Sequence, residues 1–318
     1  MSCAEFKAVE HVFGGEPGPR RDGGFILVAV LSALAVLSTL AASFVVATRI
    51  HARAAANVVL ASRLEAAADA GVTSGVLSLL AREELFAHPD RRLACAFDDQ
   101  IVIETSVEDE AGKVDLNFAD ERLLAQLLLY AGVAETEVAA HIDRIVDFRD
   151  KDDLKRPNGA ESGEYREAGV GYGPGNGEFA TVEELDQVLH LPEAVVAAIR
   201  PHVTVHSKQV GLDVDAASLS LVAALSEGAR QVTQSHEAAP LPKQLTLGKY
   251  PFPHELRARS SRTTFTVTSI ASTVTGGRFV RRAIIEIASA VTAQYQILDW
   301  RRAQSSPDAA YKPAERCW

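Results

Sequence analysis

The chain contains few of the residues that cross-link or interrupt structure. Three cysteines, Cys3, Cys95 and Cys317, are too few for a disulfide framework, although Cys95 and Cys317 could form one bond in an oxidising compartment. Proline is missing altogether between Pro19 and Pro89. Because proline strongly disfavours the helix interior, its absence allows a single helix of about 60 residues.

The chain also lacks an excess of basic residues. It has 32 Lys and Arg against 42 Asp and Glu, which gives a formal net charge of −10 at pH 7. A nucleic-acid surface usually needs a basic patch that neutralises phosphates. The composition therefore argues against binding to DNA or RNA.

Charged residues are absent from Gly23 to Thr48, and this run is strongly apolar. Since about 20 apolar residues span the hydrocarbon core of a bilayer, the run predicts a transmembrane helix. A secretory signal fits poorly, because its apolar region of about 7–15 residues lies before the cleavage site. Here the candidate cleavage site, between Gly24 and Phe25, precedes the apolar run, and the alternative is an anchor that is never cut.

The residues after this run predict that the same helix continues. The segment from Arg49 to Phe86 is rich in the good helix formers Ala, Leu, Arg and Glu. Small residues recur at every fourth position in it, at Ala67, Gly71 and Gly75, where they let another backbone approach closely. We interpret this stripe as packing on the chain's own sheet, and packing against a neighbouring subunit is the alternative.

Strand patterns flank a helical middle. Ile101 to Val107 reads as a strand, and Phe265 to Thr268 and Phe279 to Ile287 read as a hairpin turning at Gly276 and Gly277. Helical patterns dominate from Asp120 to about His202. The chain is therefore predicted to be α+β, with a helical insertion between strands.

A weak internal repeat lies in this middle region. Asp115 to Ala119 and Asp213 to Ala217 are similar, and apolar positions follow each at the same offset. Asp before an apolar helical run is a typical N-cap, which is the favoured interpretation. Duplication of a small helical module is the alternative.

An acidic segment, residues 145–165, is the most chemically specific feature. Asp147, Asp150 and Asp152 crowd together there, with Glu161 after a Pro-Asn-Gly turn. Like charges so close repel one another unless a cation or basic side chains lie among them. The pattern leaves two interpretations open: a calcium site with oxygen ligands, and a solvated loop whose interleaved Lys and Arg side chains balance the acids.

The segment is not an EF-hand. Asp150, Asp152 and Glu161 match the first, third and twelfth positions of that loop, but Leu154 and Lys155 replace an oxygen ligand and the required glycine. Paired carboxylates can also perform acid–base chemistry. Neither a nucleophile elbow nor a phosphate loop accompanies them, and the histidines lack zinc-site spacing, so no enzyme is predicted.

Residues 181–199 are similar to a helix-hairpin-helix of DNA-uptake proteins. Such hairpins use glycines to bring backbone N–H groups close to phosphate. This chain has Leu189-His190-Leu191-Pro192 at the turn, without glycine. A membrane-anchored DNA-binding or uptake protein is therefore an alternative function, and a generic anchored periplasmic interaction domain is another.

Five segments carry one further signal. They are the Gly-Gly-Phe junction with its anchor, DEAGKVDLN at 109–117, DFRDKDD at 147–153 with the following GAE and Tyr165, Pro174-Gly175-Asn176 leading to VEEL at 182–185, and PHVTV at 201–205. Each is weak alone, but their order and spacing are specific. Together they resemble one known family, the type II secretion minor pseudopilin K (general secretion pathway protein K).

The resemblance implies a pilin-like α+β fold in which a long transmembrane helix packs on a small antiparallel sheet with a large all-helical insertion. It implies a single-pass inner-membrane protein with its C-terminal domain in the periplasm, cut by prepilin peptidase between Gly24 and Phe25. The implied divisions are 1–24 (leader), 25–48 (transmembrane half-helix), 49–117 (helix continuation and first strands), 118–260 (insertion), 261–298 (returning strands) and 299–318 (disordered tail).

The resemblance further implies a role in protein secretion, in which the chain assembles with other minor pseudopilins at the tip of a pseudopilus and has no enzymatic activity. It also implies calcium in the helical domain, with Asp147, Asp150, Asp152 and Glu161 as candidate ligands. One departure is that this chain has Asp213 and Asp215 where the family usually has Asn.

Most pilin-like chains carry Glu at the fifth position of the mature protein, where it pairs with a neighbour's N-terminus. This chain has Ala29 there. A charge at the centre of a membrane helix costs about 2.5–3.5 kcal/mol on the milder scales, so an unpaired Glu would be unfavourable. The absence predicts a subunit that has no further subunit above it.

Overall fold

The computed structural model describes residues 23–81, 92–226, 252–289 and 294–304. The chain divides into two compact units, Met1–Leu60 and Ala61–Trp318. Helix α1, Gly23–Leu80, has 58 residues, and this confirms the long helix predicted from the missing proline. From Phe25 onward it is long and apolar enough to cross a membrane, and none of its most apolar stretch is buried.

The second unit contains an antiparallel sheet of five strands in the order β1-β2-β5-β6-β7. The predicted first strand and hairpin are confirmed as β2, β5 and β6, with Gly276 at φ +89° in the hairpin turn. The two outer strands lie wholly or partly in segments that were predicted to contain strands, but neither was identified individually. The strands are β1 Arg92–Ala96, β2 Ile101–Asp109, β5 Thr264–Thr273, β6 Arg278–Ser289 and β7 Gln294–Arg302.

Helix α1 crosses this sheet by means of its small residues. A Cβ atom on Gly71 would overlap the side chains of Ser269 on β5 and Ile103 on β2. A Cβ atom on Gly75 would lie 2.8 Å from Val267 Cγ1. The stripe of small residues at every fourth position therefore packs on the chain's own sheet, as predicted. An apolar cluster continues this contact and includes Val72, Val76, Val107, Phe265, Val267, Ala283, Ile285 and Ile287.

In the described residues between β2 and β5, the regular structure of the insertion is mainly helical, as predicted. It also contains two short parallel strands, β3 Val114–Asp115 and β4 Val203–Thr204. Its apolar core is separate from that of the sheet. The helices are α2 Glu121–Tyr130, α3 Glu135–Arg149, α4 Ser162–Glu167, α5 Glu193–Ile199 and α6 Leu219–Leu225. The largest fully buried side chains of its core are Leu116, Leu123, Leu124, Leu127, Leu128, Ile145, Phe148, Tyr165, Leu185 and Ile199.

The N-cap interpretation of the repeated aspartates is wrong. Helix α2 is capped by the Asp120 side chain, and α6 is capped by Ser218. Asp115 and Asp213 instead accept the backbone N–H two residues ahead, at 2.8 and 2.9 Å respectively. Each lies at or beside a parallel β-pairing. Asp115 belongs to β3, which pairs with β4, and Asp213 follows Leu212, which forms an isolated parallel β-bridge with Arg257. The two aspartates therefore stabilise similar turns, and the duplication alternative stays a prediction.

Several predictions fall at or beyond the limits of the described residues. Residues 1–22 of the predicted leader (1–24) and residues 305–318 of the predicted tail (299–318) lie outside them. The disordered tail predicted from residue 299 is wrong at its start, because β7 runs through Arg302. Cys95 on β1 is disulfide-bonded. Cys317, with which the sequence allowed it to pair, lies outside the described part of the chain.

Candidate functional site

The acidic segment begins at the end of α3, where Asp147 is fully buried. Its two carboxylate oxygens accept the backbone N–H of Arg156, at 3.4 and 3.1 Å. A Cβ atom on Gly159 would overlap the Asp147 carboxylate. The chain after α3 therefore folds back over Asp147, and only glycine fits at the closest point.

This return places Glu161 against the same aspartates. Glu161 is 5 % exposed and is the N-cap residue of α4. Its carboxylate faces the backbone N–H of Glu164 in a capping box, but among the described residues neither oxygen forms a hydrogen bond of good geometry or an ion pair. Burial raises its pKa to about 7, and Asp147, Asp150, Asp153 and Asp152 add to the shift in that order. An unpaired buried carboxylate is unstable as a charge unless a proton or a cation neutralises it.

Asp150 shares this condition. Its Oδ1 atom is buried and unpartnered within the described residues. Burial raises its pKa, and the neighbouring Asp152 and Asp147 raise it further. Burial likewise raises the pKa of Asp147. Three of the four predicted ligands therefore influence one another electrostatically, and we call this set the acidic pocket: buried Asp147, buried Glu161 and half-buried Asp150.

Asp152, the fourth predicted ligand, lies at the exposed rim of this pocket. Its Oδ1 atom accepts the backbone N–H of Leu154 at 2.8 Å, which closes a local turn. In the described part of the chain, no three His, Cys, Asp or Glu side chains stand close enough together to hold a metal ion as they are placed. The four-residue ligand set therefore stays a prediction.

The nearby bases are directed mainly to other acids. Lys155 pairs with Glu164 at 2.7 Å, and Arg156 pairs with Glu121 at 2.8 Å and with Asp143 at 3.5 Å. Among the described residues none forms an ion pair within 4 Å of the acidic pocket. The solvated-loop interpretation therefore does not describe Glu161, which is buried and forms no ion pair among the described residues.

A second buried acid, Glu110, was not singled out from the sequence. It lies in the turn after β2 and is 3 % exposed. It accepts hydrogen bonds from Lys113 Nζ at 2.7 Å, from Thr266 Oγ1 at 2.6 Å and from Thr204 Oγ1. Because Thr266 belongs to the sheet and Thr204 to the insertion, Glu110 joins the two. Its only sequence signal was its place in the DEAG turn.

The hairpin of the DNA-binding alternative is present but acidic. A 3₁₀ turn, Val182–Gln187, precedes α5, and His190 between them has φ +58°. Glu193 lies in the first turn of α5, where a phosphate would approach. Since a carboxylate there repels an anion, the geometry does not favour DNA binding.

Two comparisons bear on the identity of this chain. A family model described as type II secretion system (T2SS), protein K, matches residues 105–208, which span β2, the acidic pocket and the hairpin. One chain in the crystal structure of the GspK-GspI-GspJ complex from the enterotoxigenic Escherichia coli type 2 secretion system has a similar fold, at 15 % sequence identity with a TM-score of 0.56. The match covers 80 % of this chain and 100 % of that chain. No curated protein matches the chain.

At this identity the structural similarity establishes the fold, and the family model supplies the narrower comparison. The matched family is a component of a secretion system, and neither comparison gives an enzymatic activity. The family model over residues 105–208 and the shared fold together confirm the resemblance of this chain to the type II secretion system protein K, the minor pseudopilin K.

Proposed function

We propose that this protein is a minor pseudopilin that acts in protein secretion at the tip of a type II secretion pseudopilus. The observation that carries the proposal is the helical insertion between β2 and β5 of a pilin-like sheet, because this is the region matched by the protein K family model. The proposed partners are the I- and J-type minor pseudopilins, which are named with the similar solved structure.

The tip position is supported by two features of the chain. Ala29 replaces the carboxylate that would pair with the N-terminus of an adjacent subunit. The insertion adds a second core, separate from that of the sheet, to the pilin-like fold. A subunit of that size would hinder the addition of a further subunit above it, so it fits an initiating or capping role.

The membrane arrangement belongs to the same proposal. The apolar part of α1 would anchor the chain in the inner membrane, with the C-terminal domain in the periplasm. Prepilin peptidase would remove residues 1–24 by cutting between Gly24 and Phe25.

We also propose that the acidic pocket, together with Asp152, binds calcium. Calcium prefers carboxylate and carbonyl oxygens, and the pocket offers the unpartnered oxygens of Glu161 and Asp150. A bound cation would offset the burial of these carboxylates and the repulsion from neighbouring aspartates, which together raise their pKa values. It would also hold the segment from 150 to 161 against α3.

The proposed function is tested in a secreting strain from which the gene has been deleted. We expect deletion to impair secretion and the wild-type chain to restore it. A tag on the restored chain should label pseudopili at one end. Ala29→Glu is the matched variant, and its label should also stay at one end because the insertion limits addition. Labels distributed evenly along pseudopili, or normal secretion after deletion, would contradict the proposal.

A further inference from the structure

The edge strand β7 exposes apolar side chains in a part of the protein that is otherwise well packed. Tyr295 and Ile297 are each 47 % exposed and Trp300 is 39 % exposed. The neighbouring strand β6 has buried residues opposite all three. An exposed apolar row beside a buried one indicates a surface that another molecule covers.

The register shows that this row continues the face of the sheet that α1 covers. Tyr295 pairs with Ile287, Ile297 with Ile285 and Trp300 with Ala283. Those three β6 residues belong to the apolar cluster that also contains Val72 and Val76 of α1. Arg302 follows on the same face, opposite Arg281. We call this row the β7 inner stripe: Tyr295, Ile297, Trp300 and Arg302.

The width of the sheet leaves room for a second helix on this face. Gly71 and Gly75 place α1 directly over β2 and β5. Strands lie about 4.8 Å apart and a helix is about 10 Å wide, so one helix covers about two strands. Because the β6 residues of this face are already buried in the cluster that they share with α1, a helix lying beside α1 would cover the side chains of β7. A strand added to the edge of β7 would leave the stripe exposed, so a helix is the better fit.

The charge at one end of the stripe specifies the partner further. Arg281 is neutralised by Glu65 at 2.7 Å and Asp69 at 2.6 Å, both on α1. Its cross-strand neighbour Arg302 lies over the Phe279 ring at 4.9 Å and, among the described residues, has no carboxylate within 4 Å. Like charges on paired strands are destabilising, so a carboxylate from outside would stabilise Arg302.

We propose that the β7 inner stripe binds an apolar-faced helix of another minor pseudopilin, lying beside α1 and carrying a carboxylate level with Arg302. This inference rests on the proposed function, which supplies helix-bearing partners of the required kind. It adds the surface, the shape of the partner and the sign of its charge.

Photo-crosslinking of the full chain tests the surface. Benzoylphenylalanine at position 297 lies within the stripe, whereas the same group at position 296 lies on the opposite face of the same exposed strand. After mixing with purified I- and J-type pseudopilins in detergent, position 297 should crosslink to the helix of one partner and position 296 should not. Equal crosslinking at both positions, or crosslinks at 297 only within the chain or to a second copy, overturns the proposal.

Affinity measurements test the chemistry. Ile297→Glu should weaken partner binding at least about tenfold, while the matched Gln296→Glu changes it less than about twofold. Arg302→Glu should also weaken binding, and Glu→Lys or Asp→Lys in the facing partner helix should restore it. Near-UV circular dichroism of each variant confirms folding. If folded Ile297→Glu binds the partner with unchanged affinity, the β7 inner stripe is not the binding surface, and the proposed function is unaffected. If the wild-type chain binds neither partner, the proposed function itself is contradicted.

Discussion

Glu110 and Glu161 are both buried glutamates, yet their surroundings have opposite effects. Burial alone raises the pKa of each, but the ion pair with Lys113 and hydrogen bonds from two threonines hold the pKa of Glu110 below its usual range. Glu161 has no basic partner in the described residues and faces only the backbone N–H of Glu164, so burial and the nearby aspartates raise its pKa to about 7. Burial alone therefore does not determine the role of a carboxylate. The neighbouring groups determine whether it links two parts of the fold, as Glu110 does, or could bind a cation, as Glu161 could.

The strongest test of this comparison removes the satisfied acid. Glu110→Ala leaves Lys113 buried without its closest partner at the junction of sheet and insertion. We expect the free energy of unfolding to fall by about 3–5 kcal/mol, as for other broken buried pairs. Urea unfolding of the full chain in detergent measures this change.

Glu108→Ala is the matched control. Glu108 pairs with the same ammonium at 3.1 Å, but its side chain is 39 % exposed. Its loss should cost about 0–1 kcal/mol. Equal effects of the two substitutions would show that Glu110 is not the joint between sheet and insertion.

The next test concerns pH without added metal. The pKa of Glu161 is about 7 in the folded chain and 4.5 when unfolded, so the folded state holds its proton more tightly. Stability should therefore be highest below about pH 4.5 for this group and fall as pH rises through 7, by up to about 3 kcal/mol. Asp147 and Asp150, whose pKa values are also raised, act in the same direction.

Unfolding followed from pH 5 to pH 8 in a metal chelator measures this dependence. Glu161→Gln should flatten most of it, because the amide does not titrate. A wild-type chain that gains stability across this range, or the same slope in Glu161→Gln, would contradict the unpaired carboxylate.

The smallest expected effect is that of calcium. Binding to the folded state alone stabilises it by about 2.7 kcal/mol when free calcium is a hundredfold above Kd. Magnesium should do less, since it requires tighter octahedral geometry. The thermal midpoint in calcium and in magnesium, compared with chelator, measures both effects.

Asp150→Asn and Glu161→Gln should abolish the calcium shift. Asp153→Asn, a neighbouring acid outside the predicted ligand set, should retain most of it. A midpoint that does not change in millimolar calcium would leave the acidic pocket as a pH-sensitive cluster only.

Local patterns predicted the elements whose causes are local. The missing proline and the helix formers predicted α1, and the paired glycines predicted the β5–β6 turn. The edge strand β7 was placed partly in a tail, because its residues are exposed on both faces and show no clear alternation. The sequence does not distinguish the turns of Asp115 and Asp213 from helix N-caps, because Asp forms similar short-range hydrogen bonds in a turn and at the start of a helix.

The long apolar run, the α+β class, the acidic segment and the family resemblance could be predicted from the sequence, since each depends on residue type and spacing along the chain. The fold was needed to show that Glu161 is buried without a basic partner while Asp152 stays at the rim. It also decided that Glu110 joins threonines far apart in the chain and that α1 leaves β7 uncovered. These properties depend on which distant segments meet, because burial and pKa reflect the surroundings of a side chain as well as its identity.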